Sequence, residues 1–182
     1  GLPYAVGPPF AAILAEEGGN GAVDDALADP PDTDAELLDP ALFFDGFDAV
    51  DVAAPAPVDG QELLDEGPFG AMSLLLTLSE RLDPREVLVA LDGWAGDASS
   101  TYRLDGRPCT EIVVAGTDQA ATAELAELFT AWADAGPPGA ATGGLEGELA
   151  RLRSCEPDGG ANPSGDRVTL ALPLAALRLT LV

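Results

Sequence analysis

The chain has no histidine and no lysine among its 182 residues, and its eight basic residues are all arginine. Histidine is the commonest zinc ligand and the usual general base near neutral pH. Its absence excludes a serine, histidine and aspartate triad and an HExxH zinc site within these residues.

Cysteine is also scarce, because Cys109 and Cys155 are the only two thiols. Two thiols are too few for a thiolate zinc site, and they lack the Cys-x-x-Cys spacing of a redox motif. Two interpretations remain, one disulfide or two buried free cysteines. The even count favours the disulfide, which would contribute about 4 kcal/mol in the chain-entropy description.

Long apolar runs are missing as well. No uncharged apolar run reaches the roughly eighteen residues that a membrane-spanning helix needs, so the sequence predicts no membrane-spanning segment. The first four residues, Gly1-Leu2-Pro3-Tyr4, carry neither the basic nor the apolar region of a signal peptide, and no initiating Met precedes them. Either a signal was removed or the chain begins inside a longer protein, and we expect the second.

Positive charge is rare: 32 acidic residues against eight arginines give a formal net charge of −24. Such a chain repels phosphates, which disfavours nucleic acid and an anionic membrane surface as partners, and we predict no nucleic-acid partner. The acidity could serve to bind cations, a peptide or a basic protein. It could equally be a solvated surface that keeps the protein soluble, and we favour this second interpretation.

The residues that are present predict one folded domain. Hydrophobic residues make up 47% of the chain, enough for a core in 182 residues. We predict an α+β fold for residues 1–182, mainly helical over 1–92. The part from 93 to 182 should contain a hairpin, a packed helix and further strands in a small antiparallel sheet.

In the first half, the apolar spacing predicts helices over residues 9–17 and 22–28, separated by Gly18-Gly19. Thr33 and Glu36 form a capping box for a helix that must end near Pro40. Residues 43–52 alternate apolar and acidic side chains, which predicts a strand or an extended edge, and a loop should follow from 54. The strongest helix is predicted over 68–82, and Asp83-Pro84 should start the next one.

In the second half, the Asp105-Gly106 turn signal predicts a β-hairpin between 103 and 117. The helix predicted over 118–135 has a stripe of large apolar residues, at Leu125, Leu128, Phe129 and Trp132. A loop is predicted over 136–144, and strands over 149–155 and 167–172. These two strands could extend the hairpin to a four-stranded sheet, and 174–182 should add a short helix or strand.

One motif stands out at the start of the second half, formed by Gly93, Trp94, Gly96, Asp97 and the later Tyr102. These residues could form a ligand-facing surface, because Trp and Tyr combine apolar area with a polar group. They could instead fix the turn from helix to strand, with a helix cap, a buried anchor and an aspartate that accepts N–H groups. We favour the structural role.

Carboxylates are the remaining chemistry-bearing groups. Acidic neighbours that could supply an acid/base pair are Glu16 with Glu17, Asp24 with Asp25, and the series Asp45, Asp48 and Asp51. With so many acidic residues such neighbours arise by chance, so we predict no intrinsic catalysis. The acidic turns at 45, 92 and 105 do not fit the EF-hand pattern, and we interpret them as turns rather than calcium sites.

Three stretches of the chain are similar to a known protein pattern, in the right order. The first holds Leu2-Pro3-Tyr4, Gly7, Phe10, Gly18-Gly19 and Ala22-Val23-Asp24. The second holds Pro30-Pro31, Thr33, Glu36, Leu38 and Pro40. The third holds Gly93-Trp94, Gly96-Asp97, Tyr102 and Cys109. Together they resemble the region that follows the HExxH helix in secreted bacterial zinc-metallopeptidase-like proteins of the gluzincin type.

The resemblance implies that the catalytic helix and the later zinc-binding glutamate lie upstream of this chain. The chain would then hold no catalytic residue, metal ligand or cofactor of its own, and zinc would belong to the upstream part. The protein would be secreted or anchored to the cell envelope, as a lipoprotein is. The chain departs from the pattern at Asp39, where the family often has His, and at Ala95, where it often has Gly. The alternative is a stand-alone extracytoplasmic acidic module that binds a peptide or a basic protein.

Overall fold

The computed structural model describes residues 2–58 and 60–156. This part contains six helices and five strands. The helices are α1 (Leu2–Ala28), α2 (Ala35–Leu38), α3 (Pro40–Asp45), α4 (Ala71–Leu78), α5 (Pro84–Leu91) and α6 (Gln119–Asp134). The strands are β1 (Gln61–Gly67), β2 (Trp94–Leu104), β3 (Arg107–Gly116), β4 (Ala141–Glu146) and β5 (Leu149–Cys155). The predicted α+β class, helix-rich first and sheet-forming second, is confirmed.

The strands form one antiparallel sheet in the order β1-β2-β3-β5-β4. The predicted hairpin is present, and its turn has positive φ at Asp105 (51°) and Gly106 (82°), as an Asp-Gly turn requires. Its first strand is longer than predicted and begins at Trp94. The strand predicted over 167–172 and the element predicted over 174–182 lie outside the described residues.

Two strands were missed by the sequence patterns. The sequence of β1, Gln61–Gly67, is acidic and exposed, and the strand is held by pairing with β2. Strand β4, Ala141–Glu146, overlaps the loop predicted over 136–144. That loop was predicted because the stretch contains several glycines. A Cβ at Gly143 would collide with the backbone of Phe129, so glycine there lets β4 approach α6 closely.

The main core lies between the helices and one face of the sheet. Leu125, Phe129 and Trp132 of α6 are buried against Ile112 and Leu152, as the predicted stripe requires, while Leu128 is partly exposed. Helices α4 and α5 complete this core. Trp132 is fixed further because its Nε1 donates to the Thr77 carbonyl at 2.8 Å.

A second, smaller core lies under α1. The predicted break between two helices is confirmed, because Gly19 has φ 68° and ψ −162° inside α1. Phe10 and Leu14 from the first part of α1 and Ala26 from the second part are buried together. The main contacts of α1 are with α2 and α3, which also contribute side chains to the main core.

The strand or extended edge predicted over 43–52 is wrong for residues 43–45, which are helical, and residues 47–52 do not form a strand. Asp39 accepts the Ala41 N–H at 3.0 Å and Pro40 occupies the first helical position, so a new helix, α3, starts where the prediction had a helix ending. Gly46 ends α3 in the left-handed conformation, with φ 72°. Residues 47–58 then run without strand structure, and we call them the crossing segment.

The predicted helix over 68–82 is shorter in the structure, where α4 spans Ala71–Leu78. Arg81 therefore lies beyond the helix. Its guanidinium stacks 3.7 Å from the Trp132 ring centre and donates to the Trp132 carbonyl at 3.1 Å. Asp83 and Pro84 begin α5 as predicted, and the Asp83 carboxylate accepts the Arg85 N–H at 2.8 Å.

Cys109 and Cys155 are bonded, which confirms the predicted disulfide. They are direct partners in the β3 and β5 register, with Cα atoms 4.0 Å apart. The bond joins two adjacent strands of the sheet across 46 residues of sequence. No helix in the described part of the chain is both long and apolar enough to cross a membrane.

Candidate functional site

The motif around Trp94 lies at the start of β2, on a β-bulge. Trp94 pairs with Gly116, but Gly96 pairs with Ala115, so Ala95 is one extra residue on β2. Side chains of a regular strand alternate between faces, and an extra residue shifts that alternation by one. Trp94 and Asp97 therefore lie on the same face of the sheet, towards α4.

The Asp97 carboxylate is buried, with 8% of the residue exposed, and three N–H groups donate to it. The Phe69 N–H donates at 2.7 Å, the Gly70 N–H at 3.0 Å and the Trp94 Nε1–H at 2.9 Å. These donors replace the water that a buried carboxylate loses. Asp97 is thus the N–H acceptor that the sequence suggested, but its partners precede α4 instead of forming the turn from α5.

A second carboxylate, that of Asp34, holds the first turn of the same helix. The Ala71 N–H donates to one of its oxygens at 2.9 Å and the Met72 N–H to the other at 3.0 Å. Asp34 precedes α2, 37 residues before Ala71. We call Asp34 and Asp97 the carboxylate pair, because together they accept four consecutive backbone N–H groups, from Phe69 to Met72.

The environment of the carboxylate pair disfavours charge on Asp34. Burial raises the pKa of Asp34 above its ordinary value of 3.8, and the nearby Asp97 carboxylate adds to the rise. The hydrogen bonds from Met72 and Ala71 act in the opposite direction without cancelling it. Proximity of two carboxylates is tolerated here because the helix N-terminus supplies positive partial charge.

The predicted capping box is only half formed. Glu36 is buried and its carboxylate accepts the Thr33 backbone N–H at 2.8 Å, as a capping box requires. The Thr33 hydroxyl also donates to Glu36 at 3.0 Å instead of capping a backbone N–H. Asp34 occupies the N-cap position of α2, one residue later than predicted, but its side chain does not cap that helix. The Asp34 carboxylate binds the start of α4 instead.

Two glycines of the motif are required by close packing. A Cβ at Gly96 would collide with the Val50 carbonyl, because the crossing segment passes directly over β2 at this point. The Val50 N–H donates to the Ala95 carbonyl at 2.7 Å. A Cβ at Gly93 would lie 2.8 Å from the Ala121 Cβ of α6.

An open groove of about 790 Å³ borders the carboxylate pair. Its walls are the crossing segment, the end of β1 and the residues before α2 and α4, and Trp94 contributes to its lining. Five carboxylates line it, those of Asp32, Asp34, Asp51, Glu66 and Asp97, and the lining contains no arginine. The groove therefore favours a positively charged group electrostatically.

Tyr102 is not part of this site. It pairs with Cys109 on the sheet face opposite to Asp97, and it is buried. Burial raises the pKa of the Tyr102 phenol and the Glu111 carboxylate adds to the rise, while Arg153 opposes it. Arg151 forms an ion pair with Glu111 on this face, so the surroundings of Tyr102 are a polar network that joins β2, β3 and β5.

The remaining candidate carboxylates are exposed and, apart from Asp51, lie outside the groove lining. Glu16, Glu17, Asp24 and Asp25 lie on α1, and Asp45, Asp48 and Asp51 lie at the end of α3 and in the crossing segment. Within residues 2–58 and 60–156, no three metal-ligating side chains come together. The described residues thus do not fit a zinc site.

Neither Asp34 nor the backbone of Phe69 and Gly70 was predicted from the sequence to belong to the site. The signal available was the Gly-Pro-Phe-Gly stretch at 67–70, which places backbone N–H groups before an apolar helix without any Ser, Thr, Asp or Asn to cap them. Such a helix start needs acceptors from elsewhere in the fold. The sequence does not say which carboxylates supply them.

The comparisons with known proteins assign no family to the chain. It matches no protein-family model, no curated protein and no solved structure.

Proposed function

We propose that the chain is the non-catalytic region that follows the zinc-binding helix in an exported metallopeptidase-like protein. In this proposal, the catalytic zinc belongs to residues upstream of the chain. The groove beside the carboxylate pair forms one wall of the substrate cleft. The activity of the whole protein would then depend on this region for shape and charge rather than for chemistry.

One observation carries the proposal. Two stretches that resemble the metallopeptidase-like sequence pattern, 30–40 and 93–97, are far apart in sequence. They meet at the start of α4 through Asp34 and Asp97. Asp97 belongs to the residues shared with the family pattern, and Asp34 lies within the second stretch without being one of its shared residues. The meeting of the two stretches beside an open groove is the structural support for the proposal. The Cys109–Cys155 disulfide supports an extracytoplasmic location, because such bonds persist in oxidising compartments.

The test is to express the full native gene in an exporting host and to measure intact mass and zinc content on the same sample. The proposal expects a product longer than 182 residues with about one zinc per chain. A product that starts near Gly1 and carries no metal would contradict it.

The cleft-wall role has its own test in that longer protein. Replacing the exposed groove residues Asp51 with Asn and Glu66 with Gln should lower kcat/KM for peptides with a basic residue next to the cleaved bond. The matched control replaces Asp48 with Asn, an exposed residue outside the groove lining. Equal effects on kcat/KM in the groove and control variants would show that the groove is not part of the substrate cleft.

A stand-alone extracytoplasmic acidic module is the second candidate, favoured by the five carboxylates and the lack of arginine in the groove lining. The 182-residue chain alone should then bind an arginine-rich peptide, measured by calorimetry, with an affinity that falls when Asp51 and Glu66 are neutralised. Binding that is unchanged in this double variant would mean that the whole acidic surface attracts the peptide.

A further inference from the structure

A second groove, separate from the carboxylate pair, lies between α5 and α6. Its volume is about 520 Å³. Its apolar lining consists of Val89 and Ala90 from α5 and of Leu128 and Ala131 from α6. The proposed function does not use this groove.

The groove leaves large apolar groups in contact with solvent. Val89 is 64% exposed and Leu128 is partly exposed, although the other face of α5 is buried through Val87 and Leu91. On α6 the groove residues follow the spacing i, i+3, i+4 and i+7, so they form one continuous helix face beside the buried stripe. Two packed helices with such an open face can accept a third helix across them.

The rim of the groove is acidic. Glu86 lies on the α5 side, and Glu124 and Glu127 lie on the α6 side, with Arg85 as the single basic lining residue. An apolar floor with carboxylates on both walls is complementary to an amphipathic helix whose apolar stripe is flanked by basic residues. This charge pattern disfavours a second copy of the chain, which carries a net charge of −24.

We infer that the α5–α6 groove docks an amphipathic helix of a partner protein, with an apolar stripe inserted between α5 and α6 and Lys or Arg on its flanks. Val89 and Leu128 contact the stripe, and Glu86, Glu124 and Glu127 contact the basic flanks. The affinity comes from apolar burial, and the carboxylates set which helix is accepted.

The test uses the full 182-residue chain and two synthetic peptides measured by fluorescence anisotropy at about 0.15 M salt. One is an amidated 14-residue helix former with leucines at i, i+3, i+4 and i+7 and lysines on both sides. The other has the same composition with the leucines distributed around the helix. We expect the patterned peptide to bind at least about tenfold more tightly, because only this peptide can bury a continuous stripe of leucines in the groove. Equal affinities would overturn it.

Variants of the chain locate the binding. Replacing Val89 with Ser should lower the affinity for the patterned peptide by about three- to tenfold, because the contact loses an apolar side chain that binding buries. Replacing Val58 with Ser is the matched control, because Val58 has the same residue type and the same 64% exposure but lies outside the groove. An affinity that Val89→Ser leaves unchanged would overturn the inference, as would loss of binding in both variants.

The role of the rim carboxylates is tested by a Glu124→Gln and Glu127→Gln double variant. Its binding should be weaker than that of the parent and less sensitive to salt between about 0.05 and 0.5 M. The control is the double change of Glu16 and Glu17 to Gln on α1, which should alter neither property. Concentration-dependent dimerisation that Val89→Ser abolishes would identify a second copy as the occupant and overturn the assignment of a partner helix.

Discussion

Asp97 shows how a single buried carboxylate can fix the meeting point of three parts of the chain. Its oxygens accept N–H groups from the two residues before α4 and from the Trp94 indole. Hydrogen bonds to a charged acceptor are about twice as strong as neutral ones, and an unpaired buried donor is costly. The side chain therefore acts through the backbone groups it satisfies.

Replacing Asp97 with Ala should lower the free energy of unfolding by about 3 kcal/mol, because two backbone N–H groups and the Trp94 indole lose their acceptor. Asp97→Asn should cost less, since one acceptor oxygen remains. Urea denaturation followed by far-UV circular dichroism measures both values. Asp48→Ala is the exposed control and should stay within about 0.5 kcal/mol of the parent; an equal loss there would refute the special role of Asp97.

Asp34 should give the protein a pH-dependent stability of unusual sign. Its pKa in the folded state is raised above the ordinary 3.8, so the folded state holds this proton more tightly than the unfolded state does. The contribution of Asp34 to stability is then greatest below about pH 4 and falls as the pH rises through its folded-state pKa.

The measurement is the unfolding free energy of the parent and of Asp34→Asn between about pH 3.5 and 7. Subtracting the two curves removes the carboxylates that do not interact with Asp34, so the difference reports Asp34 together with its coupling to Asp97. We expect the difference, parent minus variant, to fall as pH rises. A difference that grows with pH would mean that the hydrogen bonds from Ala71 and Met72 dominate over burial.

At the scale of elements, the bulge and the crossing segment decide the geometry of the groove. The extra residue Ala95 turns Asp97 towards α4, and Gly96 lets the crossing segment lie directly on β2. The segment is held by the Val50 to Ala95 hydrogen bond and by the Ser100 hydroxyl, which donates to the Pro55 carbonyl at 2.6 Å. One wall of the groove thus has no secondary structure of its own and depends on β2.

Replacing Gly96 with Ala should displace the crossing segment, because the new Cβ would collide with the Val50 carbonyl. We expect a loss of about 2 kcal/mol in unfolding free energy and faster amide exchange at Val50, measured by nuclear magnetic resonance. Gly21→Ala on α1 has nothing within 4 Å of the added methyl group and is the control. It should be neutral or slightly stabilising, since Ala favours helix over Gly.

At the scale of the whole molecule, the described part of the chain has two cores of unequal size. The larger one joins the sheet to α4, α5 and α6, and the smaller one lies between α1, α2 and α3. Regions with few buried apolar contacts open at lower free energy than a domain core does. We therefore expect α1 to open before the sheet does.

Hydrogen exchange with mass spectrometry tests this order. Peptides from α1 should exchange faster than peptides from β3, and Leu14→Ala should accelerate exchange in α1 while leaving β3 unchanged, because Leu14 belongs only to the smaller core. Leu152→Ala, in the larger core, should accelerate exchange throughout the described chain. Uniform acceleration by Leu14→Ala would show that the two cores unfold as one.

The sequence alone determined the features that depend on neighbouring residues. Asp83 and Pro84 start α5, the Asp105-Gly106 pair makes the hairpin turn, and Gly19 breaks α1, because each acts through local dihedral angles and backbone caps. The stripe at Leu125, Phe129 and Trp132 also followed from helical periodicity. The even cysteine count gave the disulfide, although its position across β3 and β5 required the fold.

Only the tertiary structure decided the features that join distant residues. The acidic, exposed β1 exists through its pairing with β2, and β4 through the close approach of Gly143 to α6. The bulge that places Trp94 and Asp97 on one face depends on the register with β3. The carboxylate pair forms because Asp34 and Asp97 reach the same uncapped helix start, and no local pattern identifies which carboxylates can do so.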